Sequence, residues 1–486
     1  MSASPRPWPQ RIVRYGSLPG LAGLCALALS GCTTSEATDL APTPSRLASV
    51  KELTDSVQQD VAKVWPHTGR IWPGVDFSDH QVLLSDGSTT YALDAKGMKP
   101  VSAQDLKQNK IDIPSPDSFD VVTWQGKPAL IIRPAKDLGA GQKADPTGLT
   151  AREPAYSFGL ASHEQFHPYV QNAPKSPWTS LQKLEKSAGD RTELYPLKPE
   201  PRIARAMVYN SLLSALQQPK ERDAFLAEAA YWNTKWTKNY PEDAEGQEAT
   251  DLLEGTAKYF EQSAIAMAAV DRPGDPAQVR AYLAKTLKPM KVASKGIEPY
   301  AIGTVALLNA DAKGLDVKES LTTEPTTPLA ALLKGVKPAG SQSAPADVTR
   351  GIEQGVQASN KELGPLIEPF VADVQDKSKS VLMLPVESVS GSVGGKGFYT
   401  TEELPISITP KARATFKSKT GTVRVDGATV GEIDEDDKGY FAVPLDLDDA
   451  DAALDGTRLT LKAEGLSGTV TVKAATNDGQ QFLYAQ

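Results

Sequence analysis

Apolar residues return every third or fourth position through Leu47, Val50, Leu53, Val57, Val61 and Val64, which predicts an amphipathic helix over 46–65. The period then drops to two. Segments 81–85 and 89–93 flank Asp86-Gly87, and 121–124 and 129–132 flank a second glycine-containing turn, so a small N-terminal antiparallel sheet is expected. From about 152 to 336 the helical period returns, in 202–217, 220–238, 245–270, 276–287 and 299–312. Pro199, Pro201, Pro219, Pro241 and Pro276 sit near the starts of these segments, where a missing amide hydrogen is harmless. Residues 337–347, rich in Pro, Ala, Gly and Ser, read as a linker, and one more helix follows over roughly 348–375. Beyond 380, alternating segments at 414–417, 422–425, 440–443, 459–462 and 470–473 are broken by glycine or acidic turns, the pattern of an all-β sandwich. The expected fold class is α+β: a mainly α-helical domain over 46–336 with a small antiparallel sheet, a linker and helix over 337–379, and a β-rich domain over 380–486.

The first residues follow a different logic. Arg6, Arg11 and Arg14 precede a short apolar run over 21–29, too short to cross a bilayer as a stable helix, which is the layout of a secretory signal. The run ends in Leu29-Ser30-Gly31-Cys32, which resembles the lipobox of bacterial lipoproteins. That resemblance implies removal of residues 1–31, a lipid on Cys32 and a place in the cell envelope, at the outer membrane or the outer face of the cytoplasmic membrane. Residues 32–45, rich in Thr, Ser, Ala and Pro, then serve as a tether.

Composition narrows the chemistry. The 486 residues suffice for two or three domains, and 40% apolar with 23% charged residues is ordinary for globular protein. Loss of the signal removes Cys25 and commits Cys32, so cysteine nucleophiles, cysteine metal ligands and an internal disulfide are excluded. It also removes three arginines, taking the formal charge from −8 to −11, which argues against a nucleic-acid partner. Neither a glycine-rich phosphate loop nor a serine nucleophile elbow is present. The acidic runs 434–437 and 446–451 match no calcium loop and read as solvated turns.

Two of the chain's four histidines fall in His163-Glu164-Gln165-Phe166-His167. Residues four apart share a helix face, so both imidazoles can reach one cation. Glu164 lies about 100° around the helix from His163, where it would reach a metal-bound water and take its proton. A third ligand is expected at Glu254, with Glu248, Asp251 and Glu261 as alternatives.

Together with the segment 254–261, the motif resembles the gluzincin metallopeptidases, which add a glutamate from a later helix to paired histidines. Glu254, Gly255 with Ala257, Tyr259 and Glu261 match the Glu-Gly-x-Ala-x-Tyr-x-Glu helix of the aminopeptidase-type branch. The resemblance implies a zincin-like domain, Zn2+ held by His163, His167 and Glu254, Glu164 as general base, and a peptide or protein substrate. Glu261, on the same helix face, would be a second carboxylate holding a histidine ring. Gluzincins also stabilise the oxyanion from a downstream tyrosine or histidine, for which Tyr300 is the first candidate, while Tyr259 is expected to be packed. The chain departs from the family in three places: Glu254 stands 87 positions after His167, much farther than in the best-known members, Lys258 stands where thermolysin-like members have aspartate, and Pro168 should end the histidine helix. The alternative to an active enzyme is a binding or structural lipoprotein that keeps such a scaffold without turnover.

Overall fold

The computed structural model describes residues 49–135, 147–149, 153–173, 176–185, 192–435, 438–447 and 451–486. The expected signal segment (1–31), the expected lipidation site Cys32 and the expected tether (32–45) lie outside the described residues. Among those described, no helix is long and apolar enough to cross a membrane. The fold is α+β.

Helix α1 (Val50–Val64) starts at Ser49, whose side chain accepts from the Glu52 amide, and buries Val50, Leu53, Val57, Val61 and Val64. A five-stranded sheet follows, from β1 (Gln81–Ser85), β2 (Thr90–Asp94), β3 (Gly97–Val101), β4 (Ser118–Trp124) and β5 (Lys127–Arg133), in the order β3-β2-β1-β5-β4. The expected all-antiparallel sheet is corrected here. β1 and β5 pair in parallel, with Leu83 opposite Ile131, so the sheet is mixed. The chain between them, which includes β2, β3, α2 (Ala103–Gln108) and β4, is the long crossover that a parallel pair needs. Both faces are covered: Val82, Leu84, Leu130 and Ile132 enter the main core, whereas Leu83, Ala129, Ile131 and Trp124 pack with Leu106 and Ile111 around α2.

The helical body comprises α3 (Ala155–Phe166), α4 (Thr179–Glu185), α5 (Pro199–Gln217), α6 (Arg222–Asn239), α7 (Pro241–Ala244), α8 (Gln247–Ala269), α9 (Pro276–Thr286), α10 (Glu298–Lys313), α11 (Lys318–Thr323) and α12 (Pro328–Leu333). α8 and α10 form its centre, flanked by α3 and α5. Helix α13 (Ala346–Gln375) carries the chain to the second body.

That second body is all β. Its strands are β7 (Ser380–Pro385), β8 (Val389–Gly394), β9 (Tyr399–Thr401), β10 (Ser407–Thr409), β11 (Arg413–Lys417), β12 (Thr422–Asp426), β13 (Val430–Glu435), β14 (Lys438–Leu445), β15 (Ala452–Asp455), β16 (Arg458–Ala463), β17 (Leu466–Asn477) and β18 (Gln480–Ala485). The long strand β17 pairs with β12 and β16 along its first half and with β18 along its second, so it turns one layer into the other. Leu382, Phe441, Val443 and Leu483 from one layer meet Phe416, Val425, Leu459 and Leu461 from the other in a single core. The short strand β6 (Glu193–Tyr195), which belongs in sequence to the helical body, pairs in parallel with β9.

Candidate metal centre

His163 and Glu164 lie in the last turn of α3. The sequence predicts that Pro168 ends the helix at His167, and regular α geometry does stop at Phe166. The chain does not leave the axis, however. His167 keeps helical angles and opens a π-helical turn, His167–Gln171, in which the Asn172 amide donates to the His167 carbonyl at 2.8 Å. A wider turn relieves the clash between a proline ring and the carbonyl four residues back, and proline has no amide to leave unpaired. His167 therefore stays on the His163 face.

Glu254 and Glu261 sit two turns apart on one face of α8. Three glycines let the helices close on this face. A Cβ on Gly303 of α10 would stand 2.3 Å from the Gly255 Cα, so α8 and α10 cross in backbone contact. A Cβ on Gly159 of α3 would stand 2.7 Å from Ile265 Cδ1 and 3.1 Å from Glu261 Cγ, so this glycine makes the space in which Glu261 lies under His163.

The result is a tight cluster. His163 Nε2 is 3.1 Å from His167 Nε2 and 3.3 Å from Glu254 Oε2, and His167 Nε2 is 3.5 Å from the same carboxylate oxygen. All three side chains are buried, Glu254 completely. One donor atom from each lies within 4.8 Å of the others, an arrangement that can hold a metal ion. Behind His163, Nδ1 is 3.1 Å from Glu261 Oε2, an ion-pair contact rather than an aligned hydrogen bond, and Lys258 Nζ donates to Glu261 Oε1 at 2.6 Å. Lys258 thus anchors the carboxylate that holds the first histidine.

Charge in this pocket is strongly perturbed. Burial works against a charged His163, but the carboxylates of Glu254 and Glu261 outweigh it and raise the ring to about 10. Burial lifts Glu164 to about 7, with His163 and His167 pulling it back and the carboxylates of Glu254 and Glu261 pushing it further up. For Glu261, burial is opposed by Lys258 and His163, and the net effect lowers it below the usual glutamate value.

The other candidates divide cleanly. Tyr300 comes to the site: its ring lies over His163, centroids 5.8 Å apart and 21° from parallel. Tyr259 is packed, donating to Asp311 at 2.5 Å and accepting from Lys318 at 2.8 Å. Of the alternative ligands, Asp251 is held by Arg205 at 2.6 Å, Glu248 is exposed at the start of α8, and Glu261 is behind His163. His80 packs against Phe77 and bonds Gln165 at 2.8 Å, while His67 is exposed. Sequence reasoning missed Gln171, Lys258, Gly159 and Gly303. Helical spacing was the available signal for Gln171, four residues past His167.

The chain matches no family model, no curated protein and no solved structure. The likeness to gluzincins therefore rests on the two short segments that meet in this cluster.

Proposed function

We propose that the chain is an exported zinc metallohydrolase of gluzincin type, a peptidase, held at the cell envelope by a lipid on Cys32. The observation that carries this reading is the spacing of the three donor atoms. Zinc bonds of about 2.0–2.2 Å in a tetrahedron set ligand atoms roughly 3.3 Å apart, and the separations here are 3.1, 3.3 and 3.5 Å. Two imidazoles and a carboxylate are also a donor set typical of catalytic zinc, with a fourth position left for water or substrate.

Bound zinc would supply the Lewis acidity that makes water nucleophilic at neutral pH. Glu164 is the base that takes the proton from that water and returns it to the leaving amine. The Tyr300 hydroxyl donates to the oxygen on which negative charge develops. His163, His167 and Glu254 hold the ion, and Glu261 with Lys258 keeps the His163 ring in place.

Elemental analysis of the purified mature chain should find one zinc, and Glu254→Ala should abolish it. Zinc at 100 times its Kd should add about 2.7 kcal/mol of stability, read as a rise in Tm that a chelator reverses. Glu164→Gln should keep the zinc and lower peptide hydrolysis by about 10²–10⁴-fold. A metal-free protein would overturn the reading. Zinc retained with hydrolysis unaffected in Glu164→Gln would overturn the role of the base, and zinc without any hydrolysis would leave a binding scaffold.

A further inference from the structure

We propose that Gln171 is a positioning residue that fixes the tautomer of His167 and ties it to the backbone carrying Glu254. The inference rests on the zinc reading of the triad. Gln171 is 2% exposed, and every polar atom of its amide is used. Nε2 lies 2.9 Å from the Leu253 carbonyl, which can only accept, so the NH2 group must face that way. Its second proton goes to Thr256 Oγ1 at 2.8 Å, and that hydroxyl donates onward to the Leu252 carbonyl at 2.7 Å. The amide orientation is thereby set, and Oε1 is left facing His167 Nδ1 at 2.6 Å.

An amide oxygen cannot donate, so Nδ1 of His167 carries the hydrogen. In the neutral ring Nε2 then presents a lone pair toward His163 Nε2 and Glu254 Oε2. A single backbone carbonyl thus determines, through one amide, which nitrogen of the second histidine is free to bind an ion. The same side chain grips α8 at residues 253 and 256, on either side of Glu254. Movement of the π-helical turn and movement of the third ligand are therefore coupled. The two histidines are held differently, His163 by an anchored carboxylate and His167 by a neutral amide. A carboxylate at 171 could accept from Nδ1 but could not donate to Leu253.

The test uses the mature chain with zinc ion alone as the probe. Competition with a chromophoric chelator should show Gln171→Leu binding zinc about 10–100-fold more weakly than wild type. Nitrogen-15 NMR of the zinc-loaded wild type should show a protonated, hydrogen-bonded Nδ1 on His167. Gln171→Glu, which retains the acceptor, should keep that signal, and Gln171→Leu should lose its hydrogen-bonded shift. Wild-type zinc affinity in a folded Gln171→Leu would overturn the inference while leaving the metal centre intact. So would an unprotonated Nδ1 in the wild type, which needs no variant to fold. Failure of the wild type to bind zinc would instead overturn the reading beneath it.

Discussion

Glu153 shows how single side chains around the site respond to burial. It receives the Ser157 hydroxyl at 2.7 Å and the Ser157 amide at 3.1 Å, just ahead of α3. Burial raises its carboxyl to about 7 despite these two bonds. A carboxyl raised in the fold holds its proton where the unfolded chain has lost it, so stability falls as pH climbs from about 4.5 to 7 and then levels off. Glu153→Gln removes that loss. Relative to wild type it should gain stability on the order of 1 kcal/mol between pH 4.5 and 8, less than full desolvation implies because the group keeps some solvent, with no gain at pH 4. Urea midpoints across that range check it, and a pH-independent difference would contradict it. Residues of this scale were unevenly legible. His163, Glu164 and His167 could be named because their chemistry depends on residue type and spacing along one helix, and Glu254 with Glu261 because their segment resembles a known metallopeptidase helix. The grip of Gln171 on α8 could not, because an amide on a helix is ordinary until its neighbours across the interface are known. Lys258 stands three residues before Glu261 on the same helix, a spacing that allowed the pairing, although in the sequence it reads only as a departure from the thermolysin-like pattern.

Helix positions were readable from periodicity, but the closeness of their crossings was not. The sequence predicts helices over 245–270 and 299–312, and the structure has them at Gln247–Ala269 and Glu298–Lys313. Nothing in the spacing says that Gly255 must meet Gly303, since each looks like a tolerated helical glycine. Gly303→Ala should force α8 and α10 apart and cost about 1–3 kcal/mol or more by overpacking. It should also weaken zinc binding, because the shift carries Glu254 away from the histidines. Gly340→Ala, at a loop glycine with open space around it, is the control for the substitution itself and should weaken neither property. Equal denaturant midpoints and zinc affinities for Gly303→Ala and Gly340→Ala would show that the crossing has slack. The mixed sheet and the π-helical turn escaped for a related reason. Alternation marks a strand without naming its partner, and a proline marks the end of regular helix without saying that the chain must leave the axis.

At the level of the whole molecule, the linker over 337–347 and the change to β patterning beyond 380 suggest two bodies that could be separated. The contacts say otherwise. β6 leaves the helical body and adds to β9, Leu194 opposite Thr400, with the Glu193 amide donating to the Phe398 carbonyl at 2.9 Å. Asn360 of α13 exchanges bonds with the Leu197 backbone at 2.8 and 3.0 Å, and Tyr195 donates to Glu368 at 2.8 Å. Tyr195, Leu363, Ile367, Phe370, Leu404 and Ile408 share one apolar cluster across the junction. From there polar contacts lead inward. Glu193 accepts from the Lys295 amide at 2.9 Å, Arg202 and Arg205 bond Glu298 at the start of α10, and Arg205 reaches Asp251, three residues before Glu254. An interface built from a shared strand pairing, a shared apolar core and side-chain hydrogen bonds should melt with the bodies it joins rather than before them. Calorimetry of the chain without its expected signal segment should therefore give one transition whose calorimetric and van't Hoff enthalpies agree, and limited proteolysis should release no folded 376–486 fragment. A chain ending at 345 would strip β6 and Tyr195 of their cover, and it should lose zinc affinity even though every proposed ligand remains. Two resolved transitions, or full zinc affinity in that shortened chain, would mean that the β body is an appendage and that the proposed metal centre is supported by the helices alone.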